Sequence, residues 1–224
     1  MKSKKVLAIV LRRTDFGEAD RIVNLLTSEG KISAIARGAR RQKSKLAGGI
    51  EIFAVNEVVL AEGKSDLRTI ISARMREFFN EILKDFDRTD FAYKSIQIIS
   101  RYSENVENED FYRILETTLR SLNDFSIPLA VTENWFYLQV FLAIGNQINL
   151  RTDRDGEGLA ADKKYNFDGV EKLFVASLNG KYDSDHIKLL RLMVVSEPRS
   201  VARVKGGETV LKALRPVFDA IREL

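Results

Sequence analysis

Apolar residues near the start of the chain come in short blocks, at 6–11, 22–27, 32–36, 52–60 and 67–73, set apart by glycine and charge. Five blocks of that length before about residue 78 predict a small barrel of strands. The first block alternates, Val6, Ala8 and Val10 against Leu7, Ile9 and Leu11, so both faces of that strand are partly apolar. Residues 21–26 are ambiguous, because Ile22, Val23, Leu25 and Leu26 also fit one face of a helix. Glu29-Gly30 reads as the tip of a hairpin joining the second and third blocks, and 62–65 as the turn joining the fourth and fifth.

Beyond Phe78 the period becomes helical. Phe111, Ile114, Leu115, Thr118, Leu119 and Leu122 repeat along one helix face, with Asn108 placed as its cap. Further helices are predicted at 90–102, 129–147, 184–196 and 208–224, the last kinked at Pro216. Asp168 followed by Glu171 resembles a capping box, predicting a helix through Leu178 that ends at Asn179-Gly180. A polar, glycine-containing stretch at 149–167 interrupts the helices and is read as a hairpin insertion. The fold class expected is α+β, a five-stranded barrel over 1–80 followed by a helical domain over 81–224.

Composition removes much chemistry. The chain has no cysteine and one histidine, which excludes disulfides, thiolate catalysis, cysteine-ligated zinc and a histidine-rich metal site. Its longest strongly apolar stretch, 135–145, contains Gln139 and is about half of what a bilayer span requires. The first apolar block ends at Arg12-Arg13 without a small-residue cleavage site, so the chain is read as unprocessed and cytoplasmic. Charge is uneven: residues 1–50 hold twelve Lys and Arg against four Asp and Glu, while the rest hold 24 against 28. A basic N-terminal part suits a polyanion.

The densest chemical feature is Arg37-Gly-Ala-Arg40-Arg41-Gln-Lys43-Ser-Lys45, with five cations in nine residues and no acid anywhere in 31–50. Such self-repelling charge is relieved by a phosphate backbone, which makes Arg37, Arg40, Arg41, Lys43 and Lys45 candidate nucleic-acid contacts. The plainer reading is a solvated loop. Gly38 and Gly48-Gly49 imply a mobile connection between strands. Arg12 and Arg13 either extend the basic surface or pair with Asp15, Glu18 and Asp20. The first 76 residues contain only Phe16 and Phe53 as aromatics, which points to backbone contact with little base readout. The Asp153–Gly158 run fails the EF-hand spacing, since Lys164 stands where a bidentate Glu is needed, and reads as a polar turn. His186 reads as a helix-start residue, and Glu104, Glu107, Glu109 and Asp110 as solvated caps and first-turn charges.

Several ordered motifs then coincide: Gly17-Glu-Ala-Asp-Arg21, Gly30-Lys31, Ala36-Arg-Gly-Ala-Arg-Arg41 and Lys43-Ser-Lys-Leu46. Over about forty residues they closely resemble the opening of the RecO family of recombination mediators, and the later stretch 66–79 matches more loosely. The resemblance implies an OB barrel followed by an all-helical domain. It further implies binding of single- and double-stranded DNA, annealing of complementary strands, and help to a RecA-type recombinase in replacing single-stranded DNA-binding protein, with RecR as partner. Arg37, Arg40, Arg41 and Lys43 are the matched basic positions, and Lys45 is added on charge. Location with the nucleoid follows from the same resemblance, as does the absence of catalysis, cofactor and membrane. Many members of that family carry a four-cysteine zinc site in the helical domain, and this chain cannot. The competing readings are an RNA-binding OB protein, a protein-interaction adaptor docking an acidic partner, and, last, a metal nuclease using the acidic cluster.

Overall fold

The computed structural model describes residues 2–61, 67–104 and 109–223. The turn expected at 62–65, the cap expected at Asn108, and Glu107 lie outside the described residues. Two compact units divide after Asn123.

The first unit is built on a closed barrel of five strands in the order β1-β2-β3-β5-β4. The strands are β1 (Ser3–Phe16), β2 (Asp20–Thr27), β3 (Gly30–Ala36), β4 (Ala54–Ala61) and β5 (Leu67–Phe78). All neighbours are antiparallel except β3 and β5, which run parallel. This is the OB topology. The ambiguous segment 21–26 is strand: Ile22 faces Ile35 and Leu25 faces Ile32 in register. Alternation sends Val6, Ala8, Val10, Val23, Leu25, Ala34, Val58, Leu60 and Ile70 inward to one core. Closure leaves no free sheet edge and fixes the register, since a one-residue slip would turn that set outward.

The other apolar row of β1, Ile9 and Leu11, is buried as well, because two helices cover part of the barrel's outer face. Helix α1 (Phe86–Tyr102) packs on β1, and α2 (Glu109–Asn123) on β2 and β3. Asp85 caps α1 by accepting from the Arg88 N–H at 2.9 Å. The expected stripe from Phe111 to Leu122 is the buried face of α2. Arg88 is buried between the helices, and its Nη1 donates to the Leu122 carbonyl at 2.8 Å. These helices therefore belong with the barrel, so the compact units divide after Asn123 and not at the strand-to-helix change near residue 80.

The second unit surrounds α3 (Leu129–Ala143), which is buried on almost every side from Val131 to Phe141. On it pack α4 (Ser184–Val195), α5 (Pro198–Val201) and, after α6 (Gly207–Ala213), α7 (Arg215–Arg222). The expected final helix is two, broken at Leu214; Pro216 sits in the first turn of α7, where its missing N–H costs nothing. The helix expected over 168–178 is instead a hairpin of β6 (Tyr165–Asp168) and β7 (Leu173–Ala176). Asp168 Oδ1 accepts from the Val170 and Glu171 N–H groups, at 2.9 and 3.0 Å, so the capping pattern closes a turn. Tyr165, Phe167 and Tyr182 gather their rings around Phe174, which is what favours the hairpin.

Candidate nucleic-acid interface

The basic segment between β3 and β4 is a folded lid over one end of the barrel. Ala39 and Ile50 are buried in the barrel core, and Leu46 and Ile52 pack against it. Its backbone closes on itself through Arg41 N–H to the Gly38 carbonyl at 3.1 Å and Ser44 N–H to the Arg41 carbonyl at 2.9 Å. A 3₁₀ turn at Ala47–Gly49 presses against β5 so tightly that a Cβ on Gly49 would stand 2.2 Å from the Ala73 carbonyl carbon. The mobile connection expected from the glycines is thus corrected: Gly49 permits close approach, and Gly38, at φ 65°, permits a left-handed turn.

The lid is tied to the β1–β2 turn. The Arg40 N–H donates to the Ala19 carbonyl at 2.9 Å and the Gly38 N–H to Asp20 Oδ1 at 2.7 Å. The Arg40 side chain donates to the Gly17 carbonyl at 3.2 Å and stands 3.3 Å from Asp15 Oδ2, while Arg21 donates to Asp15 Oδ1 at 3.0 Å. The Arg21 hydrogen bond, helped by the charges of Arg40 and Arg21, holds the Asp15 carboxyl below the usual carboxylate range. Arg13 donates to Glu51 Oε2 at 2.9 Å, pairing across the lid and not with the acids beside it in sequence.

Arg37, Arg41, Lys43 and Lys45 are exposed on the outer surface of the lid, with no acidic partner among the described residues. Five predicted cations therefore share one element, four of them unpaired and Arg40 held by Asp15. Arg13 adjoins them through Glu51. Arg12 does not: it stands on the β1 surface that lines a groove with α1. Phe16 is half exposed at the end of β1 beside this turn, whereas Phe53 is core.

A second set of cations stands on β5. Arg74 and Arg76 are exposed on β5, and Arg76 pairs with Glu57, which Lys5 also approaches at 3.2 Å. Their period-two spacing was the available signal, hidden because β5 runs five residues past its apolar block. Of the acidic cluster, Glu104 pairs with Lys31 at 3.0 Å and Asp110 with Arg113 at 3.2 Å, while Glu109 lies in the first turn of α2. His186 is the third residue of α4, in a capping box with Asp183.

The family described as "Recombination protein O N terminal" matches residues 1–79, the barrel with its lid. The chain is similar to RecO proteins, most specifically over this N-terminal region. Among proteins of known name it is 39% identical over 117 residues to DNA repair protein RecO of Roseiflexus sp. (strain RS-1), covering 52% of this chain and 41% of that one. With DNA repair protein RecO of Acetivibrio thermocellus the identity is 37% over 123 residues, covering 54% and 48%. With that of Alkaliphilus metalliredigens it is 29% over 192 residues, covering 85% and 77%. The matched region spans about half the length of the first two of these relatives.

The four-cysteine zinc site of many RecO proteins does not fit the residues present. The stretch expected to replace it is shaped by Asp153, which is buried and accepts from the Asp155 and Glu157 N–H groups at 3.1 and 2.9 Å. The Tyr165 hydroxyl closes the far side by accepting from the Ala160 N–H at 2.8 Å. Hydrogen bonds from backbone N–H groups to the Asp153 and Tyr165 side chains hold this segment.

Proposed function

We propose that the chain is a non-catalytic DNA-binding protein of recombinational repair, which accelerates annealing by neutralising the phosphates of two strands on the lid of its barrel. The observation that carries this reading is the lid itself, where Arg37, Arg41, Lys43 and Lys45 stand exposed and unpaired among the described residues on a backbone pinned to the barrel core. A backbone that is already pinned needs no loop ordering when a polyanion arrives, so only the side chains lose conformational entropy on contact. Arg13 and Arg40 add to it readily, since partly exposed ion pairs such as theirs are worth about 1 kcal/mol and a phosphate can replace the carboxylate.

Two strands approaching one another repel through their phosphates, and cations between them lower that cost without any bond being made or broken. No base-specific contact is called for, which suits strands of any sequence. The relatives are named for DNA repair, and that role is proposed for this chain on the similarity to them together with the basic lid. Single-stranded DNA-binding protein, RecR and a RecA-type recombinase are the partners proposed on the same basis.

The test is fluorescence-detected annealing of two complementary oligonucleotides by the wild type and by a variant with Arg37, Arg40, Arg41 and Lys43 changed to Ala. Salt-sensitive acceleration that the variant loses is the expected result. A folded wild type that gives no acceleration overturns the annealing reading, and one that binds RNA in preference to DNA of equal sequence moves the protein to RNA handling.

A further inference from the structure

The exposed rings on the barrel strands, Phe16 and Phe78, stand at strand ends, and α1 brings a further ring to the outer face of β1. Between these elements lies a groove of about 550 Å³ lined by Arg12, Tyr93, Gln97, Ser100 and Arg101, with Leu11 and Ile96 beneath. The ring of Tyr93 is packed on one side against Phe53, with centroids 4.7 Å apart and planes at 60°, and the residue remains 46% exposed. Phe53 is itself fixed: it is buried at a φ of 58°, and its carbonyl accepts from the Phe79 N–H at 2.9 Å. Phe53 thus supports Tyr93 from the barrel side, and Tyr93 lines the groove.

The groove's charge suits a nucleotide. Arg12 is exposed, with no acidic partner among the described residues. The Arg101 guanidinium lies 5.6 Å from the Tyr102 ring centre and has no carboxylate partner among the described residues. Among the described residues Glu104 is the only acid lining the groove, and it is engaged by Lys31, which also reaches the Ser100 carbonyl at 3.3 Å. Two guanidinium groups, each able to bind phosphate in a fork, thus flank a half-exposed aromatic ring. Phe86, 84% exposed, lies seven residues before Tyr93 and so roughly 10 Å along the same helix face, continuing the track.

We propose that this groove is a stacking subsite for unpaired bases of a single-stranded nucleic acid, with Tyr93 as platform and Arg12 and Arg101 as phosphate contacts. It rests on the nucleic-acid reading of the lid and adds strand discrimination to it. Lid cations meet only phosphates, which single and double strands share. A base in a duplex has both faces stacked on its neighbours, so Tyr93 can receive only an unpaired one.

The test compares three labelled probes by fluorescence anisotropy with the full chain: oligothymidine, an abasic strand of equal length that keeps its phosphates, and a duplex. The wild type is expected to bind oligothymidine about tenfold more tightly than the abasic strand. Tyr93→Leu is expected to lose that preference while keeping its affinity for the abasic strand and the duplex, and Tyr93→Phe to retain it. A folded Tyr93→Leu that keeps the preference overturns the proposal. Should Tyr93→Leu fail to fold, Tyr93→Trp reports directly: its fluorescence must be quenched by oligothymidine more than by the abasic strand, and equal responses overturn it. Wild type binding all three probes equally defeats the stacking subsite and leaves the lid reading standing. Wild type binding none of them defeats both.

Discussion

Arg40 on the lid and Asp15 near the end of β1 face each other at 3.3 Å, and the same carboxylate takes the Arg21 hydrogen bond at 3.0 Å. One acid thus restrains two cations at the edge of the proposed phosphate-binding surface. Asp15→Asn removes that restraint and one negative charge. We expect severalfold tighter binding of any oligonucleotide at low salt, with the gain shrinking as salt rises. Stability should change by less than about 1 kcal/mol, because the pairs are exposed. Titrations at two salt concentrations check this, and weaker binding by the variant would show that Asp15 instead positions the arginines productively.

Gly49→Ala is expected to cost about 3 kcal/mol of stability. The added methyl meets the Ala73 backbone, which cannot move without disturbing the β4–β5 ladder. Urea unfolding measures it. The nearby Gly48 has open space around its Cβ position, so Gly48→Ala serves as the neutral control.

Gln139 explains a polar residue in the longest apolar stretch. Its amide donates to the Met193 and Val194 carbonyls at 2.9 and 3.2 Å, satisfying the last turn of α4. Gln139→Leu keeps the volume and strands those carbonyls, and should lower stability by roughly 1–3 kcal/mol. A thermal melt equal to wild type would contradict this.

The Asp183 carboxylate caps α4, accepting from the Asp185 N–H at 3.0 Å. Its contact with His186, then that backbone hydrogen bond, holds the carboxyl below the usual range. A depressed carboxylate stabilises the fold above its unfolded pKa, near 3.9, and loses that contribution as pH falls through the folded value. Asp183→Ala should therefore cost about 1 kcal/mol at neutral pH, and the difference from wild type should shrink in acid below about pH 4. Stability curves for both proteins from pH 7 to about pH 3 check the direction.

The strands were legible because burial on a barrel imposes a period of two, and α2 because its apolar stripe is unbroken from Phe111 to Leu122. Residues 21–26 fit both periods, and only their pairing with β3 decides between them. Asp168 misleads for a physical reason: a carboxylate accepting from the second and third N–H groups after it looks alike at a helix start and in a tight turn. Aromatic packing around Phe174, which no local pattern displays, settles the outcome. The basic run was legible as chemistry but not as a lid, because Ala39, Leu46, Ile50 and Ile52 anchor it at irregular spacing. Pairings such as Arg13 with Glu51, and the meeting of Arg12 with Tyr93, join residues far apart in sequence and become visible only once the barrel closes.

Binding of nucleic acid through its phosphates makes the lid's affinity depend on salt, which is measured for wild type and for the variant with Arg37, Arg40, Arg41 and Lys43 changed to Ala. With about four to five phosphates neutralised, the wild type should show a slope of log affinity against log salt of roughly −3 to −5, and the variant a slope closer to zero by about 3. A wild-type affinity independent of salt, or an equal slope in the two proteins, would contradict the account.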